Sequence, residues 1–119
     1  MNNKGLLETP TESASVFTKR TVKHGFEERF GTALHYFIAQ SLQAEGHLGV
    51  SIMRPVEGRG SHEYGILRRF RDAVSRDNFY ESPQFKQWEV TVASLTEGEA
   101  KHQHLSAWKP GLSFQAKGQ

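Results

Sequence analysis

The sequence predicts an α+β domain of order βαββαβ, with one antiparallel four-stranded sheet carrying its helices on a single face. Three observations point there. The chain has 119 residues, the size of one domain, because a second would leave each half too small to bury an adequate core. Two long segments repeat apolar residues at spacings of three and four, whereas four short ones alternate or cluster β-branched and aromatic residues. Glycine and proline punctuate nearly every junction between them.

The elements follow in order. Met1 to Glu12 is polar, with Thr9-Pro10-Thr11 as a breaker, and reads as a flexible segment ahead of a folded domain over 13–109. From Ala14, residues Val16, Phe17, Thr18, Thr21 and Val22 suit a first strand. After His24-Gly25, Glu27 and Glu28 fit a helix's first turn, where free N–H groups favour carboxylates. Phe26, Phe30, Ala33, Leu34, Phe37 and Ser41 then form one stripe that must be buried, and Glu45-Gly46 closes the helix. His47 to Met53 alternates as a second strand and pairs through a glycine-rich turn with a third, Tyr64 to Phe70. Asp72 to Tyr80 reads as a short polar helix. Ser82-Pro83 supplies a capping hydroxyl and a first-turn proline for a second long helix striped by Phe85, Trp88, Val92 and Leu95. Glu97-Gly98-Glu99 is read as its end, His102 to Trp108 as the fourth strand, and 110–119 as a tail.

Composition excludes several classes of function. A net charge of +2 is too small to argue for nucleic acid, and the absence of cysteine excludes disulfides and thiolate metal sites. The longest apolar run, Tyr36 to Ala39, falls far short of the ~20 residues that cross a bilayer, and no signal-type block opens the chain. No membrane partner is expected, and a cytoplasmic location is.

Alternation divides the strands between two faces. Val16, Val22, Leu48, Val50, Ile52, Tyr64, Ile66, Phe70, Leu105 and Ala107 are expected beneath the helices. The other face collects Phe17, Lys19, Thr21, Gly49, Ser51, Met53, Gly65, Leu67, Arg69, His104, Ser106 and Trp108. Phe17, Met53, Leu67 and Trp108 would together expose several hundred Å², a patch that monomers rarely leave uncovered, so this face is expected to form a homodimer.

A linked series of residues carries a family resemblance from about Val22 to Trp108. It runs through Val22-Lys23-His24-Gly25-Phe26-Glu27-Glu28-Arg29-Phe30, Gly46-His47-Leu48-Gly49-Val50 with Arg54-Pro55, Tyr64 to Arg69-Phe70, Glu81-Ser82-Pro83 with Phe85 and Trp88, and Trp108. In this order and spacing the chain resembles the antibiotic biosynthesis monooxygenase family. The resemblance implies a ferredoxin-like fold, a homodimer whose sheets close into a dimeric α+β barrel, and a pocket between sheet and helices. It also implies oxygenation of a small aromatic or phenolic metabolite without metal, flavin or other cofactor. Haem-degrading relatives use an axial histidine on the second long helix, and between Pro83 and Leu95 there is none.

Arg68 falls on the apolar face between Ile66 and Phe70, where an unpaired guanidinium is costly, so it is a candidate clamp for an anionic substrate; Glu89 is the carboxylate that would otherwise pair with it. Tyr64 is a candidate hydrogen-bond donor, and His104 a candidate proton acceptor. Phe30, Phe79, Phe85 and Trp88 are candidate walls of the pocket, although stripes at helical spacing more often form core. His102 and His104 share a strand face, but two ligands do not make a metal site, and none is expected. Two other functions compete. A non-catalytic barrel could bind a small apolar metabolite in the same pocket. The βαββαβ order also suits an RNA-binding module, yet two stacking positions of its third-strand motif would be Ile66 and Arg69, so no nucleic-acid partner is expected.

Overall fold

The computed structural model describes residues 13–107; Trp108 and both expected tails lie outside them. The chain runs β1 (Ala14–Val22), α1 (Glu27–Ser41), β2 (His47–Met53), β3 (Glu63–Phe70), α2 (Ala73–Glu81), α3 (Pro83–Ala93) and β4 (Thr96–Ser106). The sheet order is β2-β3-β1-β4, and each neighbouring pair is antiparallel. Each helical connection therefore skips one strand: α1 carries the chain from β1 past β3 to β2, and α2 with α3 carries it from β3 past β1 to β4. This is the ferredoxin-like α+β fold.

Local chemistry sets the element ends. Glu27 and Glu28 occupy the first turn of α1, and Phe30, Leu34, Phe37 and Ser41 are its buried stripe. Gly46, with φ +77°, turns the chain into β2, and a side chain there would collide with the Ser75 hydroxyl. Asp72 caps α2 by accepting from Ser75 N at 2.8 Å. Ser82 caps α3 by accepting from Phe85 N at 3.2 Å, with Pro83 in the first turn. Phe30, Phe37, Phe70, Phe79, Phe85 and Trp88 meet in one cluster with Val16, Val22, Ile66 and Val92.

Three expectations are corrected. First, β4 begins at Thr96, six residues before His102, because Gly98 at φ +67° does not end a helix. It lies in a bulge, where Lys19 faces Lys101 but Thr21 faces Glu97. Second, β4 shows its opposite side: His102 faces Thr18, His104 faces Val16 and Leu105 faces Ser15. His104 and Ser106 therefore share the helix-covered side, and Leu105 the open one; Leu105 is too isolated an apolar residue to set the phase. Third, Leu48 is 59% exposed, because His47 opposes Phe70 while Gly49 opposes Arg69, which leaves Leu48 as the extra residue of a bulge and turns His47 inward.

Candidate functional site

On the helix-covered face, β1 contributes Val16, Thr18, Arg20 and Val22, all buried, and β3 contributes Ile66, Arg68 and Phe70. Two arginines, Arg20 and Arg68, thus stand in a mainly apolar and aromatic layer, 5% and 3% exposed, with Thr18, Ser41 and His47 as buried polar neighbours. The Arg68 guanidinium lies over Phe79 at 4.9 Å and Phe37 at 5.2 Å. Its Nη1 donates to Ser41 Oγ at 3.0 Å and lies 3.4 Å from His47 Nε2. Arg20 lies 5.9 Å from the Trp88 ring centroid, and its Nε and Nη2 are buried without a hydrogen-bond partner. Among the described residues neither guanidinium has a carboxylate within salt-bridge distance, Glu89 included.

The electrostatics follow from burial. Loss of water lowers the Arg68 pKa to about 10, with Tyr80 opposing the shift and Arg20 adding to it. Arg20 is lowered by burial too, against the pull of Glu89 and Tyr80. Tyr80 is raised by burial, opposed by the charges of Arg68, Arg20 and Arg76 and by the nearby Thr18 hydroxyl. His47 is lowered to about 4, by burial first and then by Arg68, and its ring stacks on Phe79 at 5.4 Å. His102 is lowered by burial and by Arg20, while its Nδ1 lies 2.7 Å from Thr18 Oγ1. Both imidazoles are therefore neutral at neutral pH, and both arginines are charged.

The other candidates are spread around this centre. Trp88 stacks on Phe37 at 4.7 Å, Phe85 packs on Tyr80 at 4.7 Å, and Phe79 lies 5.7 Å from Phe85; of these three, Trp88 faces Arg20 and Phe79 faces Arg68. Phe30 packs on Tyr64 at 5.1 Å. Tyr64 lies four residues along β3 from Arg68, roughly 13 Å, and lines a different opening with Phe30, Leu34 and Ile52. A cavity of about 290 Å³ at the α3–β4 edge is lined by Arg20, Glu89, Val92, Thr96 and His102, and Arg68 is not part of its wall. His104 lies exposed on the same strand side as His102. On the open face Phe17 and Leu67 are half-buried and Met53 is 46% exposed; Gly65 lets the Phe17 ring lie across it, since a Cβ would stand 2.9 Å from Phe17 Cζ.

Residues 14–90 match the sequence model of the family described as antibiotic biosynthesis monooxygenase. The chain belongs to that family. No curated protein matches it by sequence. Solved structures of similar fold include a putative antibiotic biosynthesis monooxygenase from Nitrosomonas europaea, with TM-score 0.73 and 16% identity over 87% of this chain and 98% of that one. A second is SnoaB, a cofactor-independent oxygenase from Streptomyces nogalater, with TM-score 0.72 and 14% identity over 86% and 99%. A third is the protein Rv0793 from Mycobacterium tuberculosis, with TM-score 0.72 and 14% identity over 84% and 99%. At such identities the likeness to each structure is one of fold.

Sequence reasoning found Arg68 in this family member, weighed His102 only as a metal ligand, and missed Arg20, Tyr80 and His47. Arg20 had a signal, since Val16 and Val22 fix the even positions of β1 on the covered side. Tyr80 and His102 are brought in by α2 and by the β4 register, which no local pattern marks. Among the described residues no helix is long and apolar enough to cross a membrane.

Proposed function

We propose that this family member is a homodimeric monooxygenase that oxidises a small aromatic or phenolic metabolite without metal or flavin. The observation that carries the reading is that two guanidiniums, Arg20 and Arg68, are buried among aromatic rings with no described carboxylate within salt-bridge distance. Such a site favours a planar anion, because charge–charge attraction is strong where water is excluded. In the proposed reaction, a proton leaves a ring-activated CH₂ of the bound phenol, and the enolate formed gives its electrons to dioxygen. The resulting carbon-bound hydroperoxide loses water, so that CH₂ and O₂ become C=O and H₂O. Arg20 and Arg68 hold the anionic charge, Phe79, Phe85 and Trp88 cover the ring, and His102 at the opening takes the proton. His104, two residues further on the same side, and Tyr64 at the far opening are secondary candidates. The open sheet face, with Phe17, Met53 and Leu67, meets a second copy.

One observation favours binding without turnover: His47 and His102 are both lowered, which makes them weak bases. Oxygen uptake with a panel of anthrones and phenols, in chelator-treated buffer, separates the readings. Uptake above the uncatalysed rate that is lost in Arg68→Met and Arg20→Met supports the oxygenase. Saturable binding without uptake selects the binding protein, and neither result on any substrate removes both.

A further inference from the structure

A second cluster of chemistry-bearing side chains lies away from the arginines, where the end of β1, the start of α1 and the start of β3 meet. His24 follows β1, Glu27 opens α1 and His62 precedes β3. One ligand atom from each lies within 4.8 Å of the other two. His62 Nδ1 is 3.5 Å from Glu27 Oε1, and the two imidazoles meet edge to face with centroids 5.4 Å apart. Donors bound to one tetrahedral ion at about 2.0–2.1 Å stand roughly 3.4 Å apart, so the Glu27–His62 pair already has that separation. His24 is exposed and its ligand atom lies within 4.8 Å of the other two, so a side-chain rotation is all that it would need to reach the same separation.

The backbone holds these positions. Val22 N donates to His62 O at 2.9 Å, which ties the end of β1 to the residue before β3. Phe26 N donates to Lys23 O at 2.9 Å, and Gly25 at φ +88° makes the turn that brings His24 and Glu27 together. A cavity of about 730 Å³ borders Glu27 and His62, with Arg54 and Tyr64 on its wall, and gives an ion's remaining coordination position access to water or to a small ligand.

We propose that His24, Glu27 and His62 form a binding site for one divalent transition-metal ion of the zinc class, with at least one coordination position open toward that cavity. Two imidazoles and one carboxylate are a donor set such ions favour over Mg²⁺ or Ca²⁺, which prefer all-oxygen shells. The bound ion would clamp the β1–α1 turn to the β2–β3 loop. This inference is independent of the oxygenase reading, since the arginine site shares none of these residues.

The test is calorimetric titration of the untagged, chelator-stripped protein with Zn²⁺, followed by thermal unfolding with and without the ion. Expected are one ion per chain and a raised Tm, because an ion that binds only the folded state stabilises it. His24→Ala, His62→Ala and Glu27→Gln should each weaken Zn²⁺ by at least about 10-fold, given that even outer-shell groups cost 10–100-fold, while His35→Ala on the exposed face of α1 should not. All three side chains are at least partly exposed, so the variants should fold, as circular dichroism can verify. In the wild-type protein itself, Zn²⁺ should shift the imidazole proton resonances of His24 and His62. The inference is overturned if wild-type binding does not saturate, if any of the three variants binds as the wild type does, or if the resonances that move belong to His102 and His104.

Discussion

Lowering the pH should destabilise the fold through His47, by an amount that follows from its surroundings. The ring is 8% exposed, stacked on Phe79, and 3.4 Å from the Arg68 guanidinium, which together hold its pKa at about 4 against 6.5 in the unfolded chain. The native state therefore keeps His47 neutral while the unfolded state protonates it. Stability from this residue is intact above pH 6.5 and is lost progressively as the pH falls from 6.5 toward 4. At pH 5 the unfolded ring is almost fully charged and the folded ring almost fully neutral, which corresponds to about 2 kcal/mol of lost stability. Urea unfolding at pH 7 and pH 5 measures the loss, and His47→Gln supplies the control, because an amide can accept from Arg68 but does not titrate. His102, also lowered, contributes equally to both proteins. The wild type should lose about 2 kcal/mol more than the variant between these pH values. Equal losses would refute the argument, since they would mean that His47 is hydrated or already protonated in the native state.

The remaining predictions concern packing, capping and assembly. Arg68→Met should raise the unfolding free energy by about 1 kcal/mol or more, because an apolar side chain replaces a buried charge without a carboxylate, and should abolish ligand binding; a destabilised variant in urea melts would show that the guanidinium is structural. Phe30, fully buried between Tyr64 and Trp88, should cost about 3–5 kcal/mol when changed to alanine, read as a lower urea midpoint. Ser82→Ala removes the cap on Phe85 N and should cost about 1 kcal/mol. Leu67→Glu, at the centre of the open sheet face, should convert a dimer to a monomer in sedimentation, and an unchanged dimer would place the interface elsewhere.

The parts of the fold that were legible in the sequence are those fixed by neighbours in the chain. The Phe30–Leu34–Phe37–Ser41 stripe and the Ser82-Pro83 cap depend on residues within one or two helical turns, and both appear where the spacing puts them. The misread parts depend on partners far away. Gly98 has the left-handed backbone that closes helices, but the same conformation serves a bulge once β1 lies alongside, and only the β1–β4 register distinguishes the two. His47 looked like the first residue of an alternating strand until a bulge opposite Phe70 turned it inward and left Leu48 in solvent.

The candidate site was half legible for the same reason. Arg68 stood out because both neighbours on its face, Ile66 and Phe70, are apolar. Arg20 did not, since Lys19 and Thr21 beside it make the segment look solvated even though its parity with Val16 and Val22 places it inside. Hydropathy assigns a guanidinium to the surface from its own chemistry, whereas its actual cost depends on whether a carboxylate follows it into the layer. In this sheet none of the described carboxylates does, for either arginine. Arg20 lowers the pKa of Arg68, so the two cations repel each other, and on the proposed reading a bound anion would relieve that repulsion. On that reading, a preference for a negatively charged ligand would follow from what the two arginines lack, a feature that emerges only once β1 and β3 lie side by side.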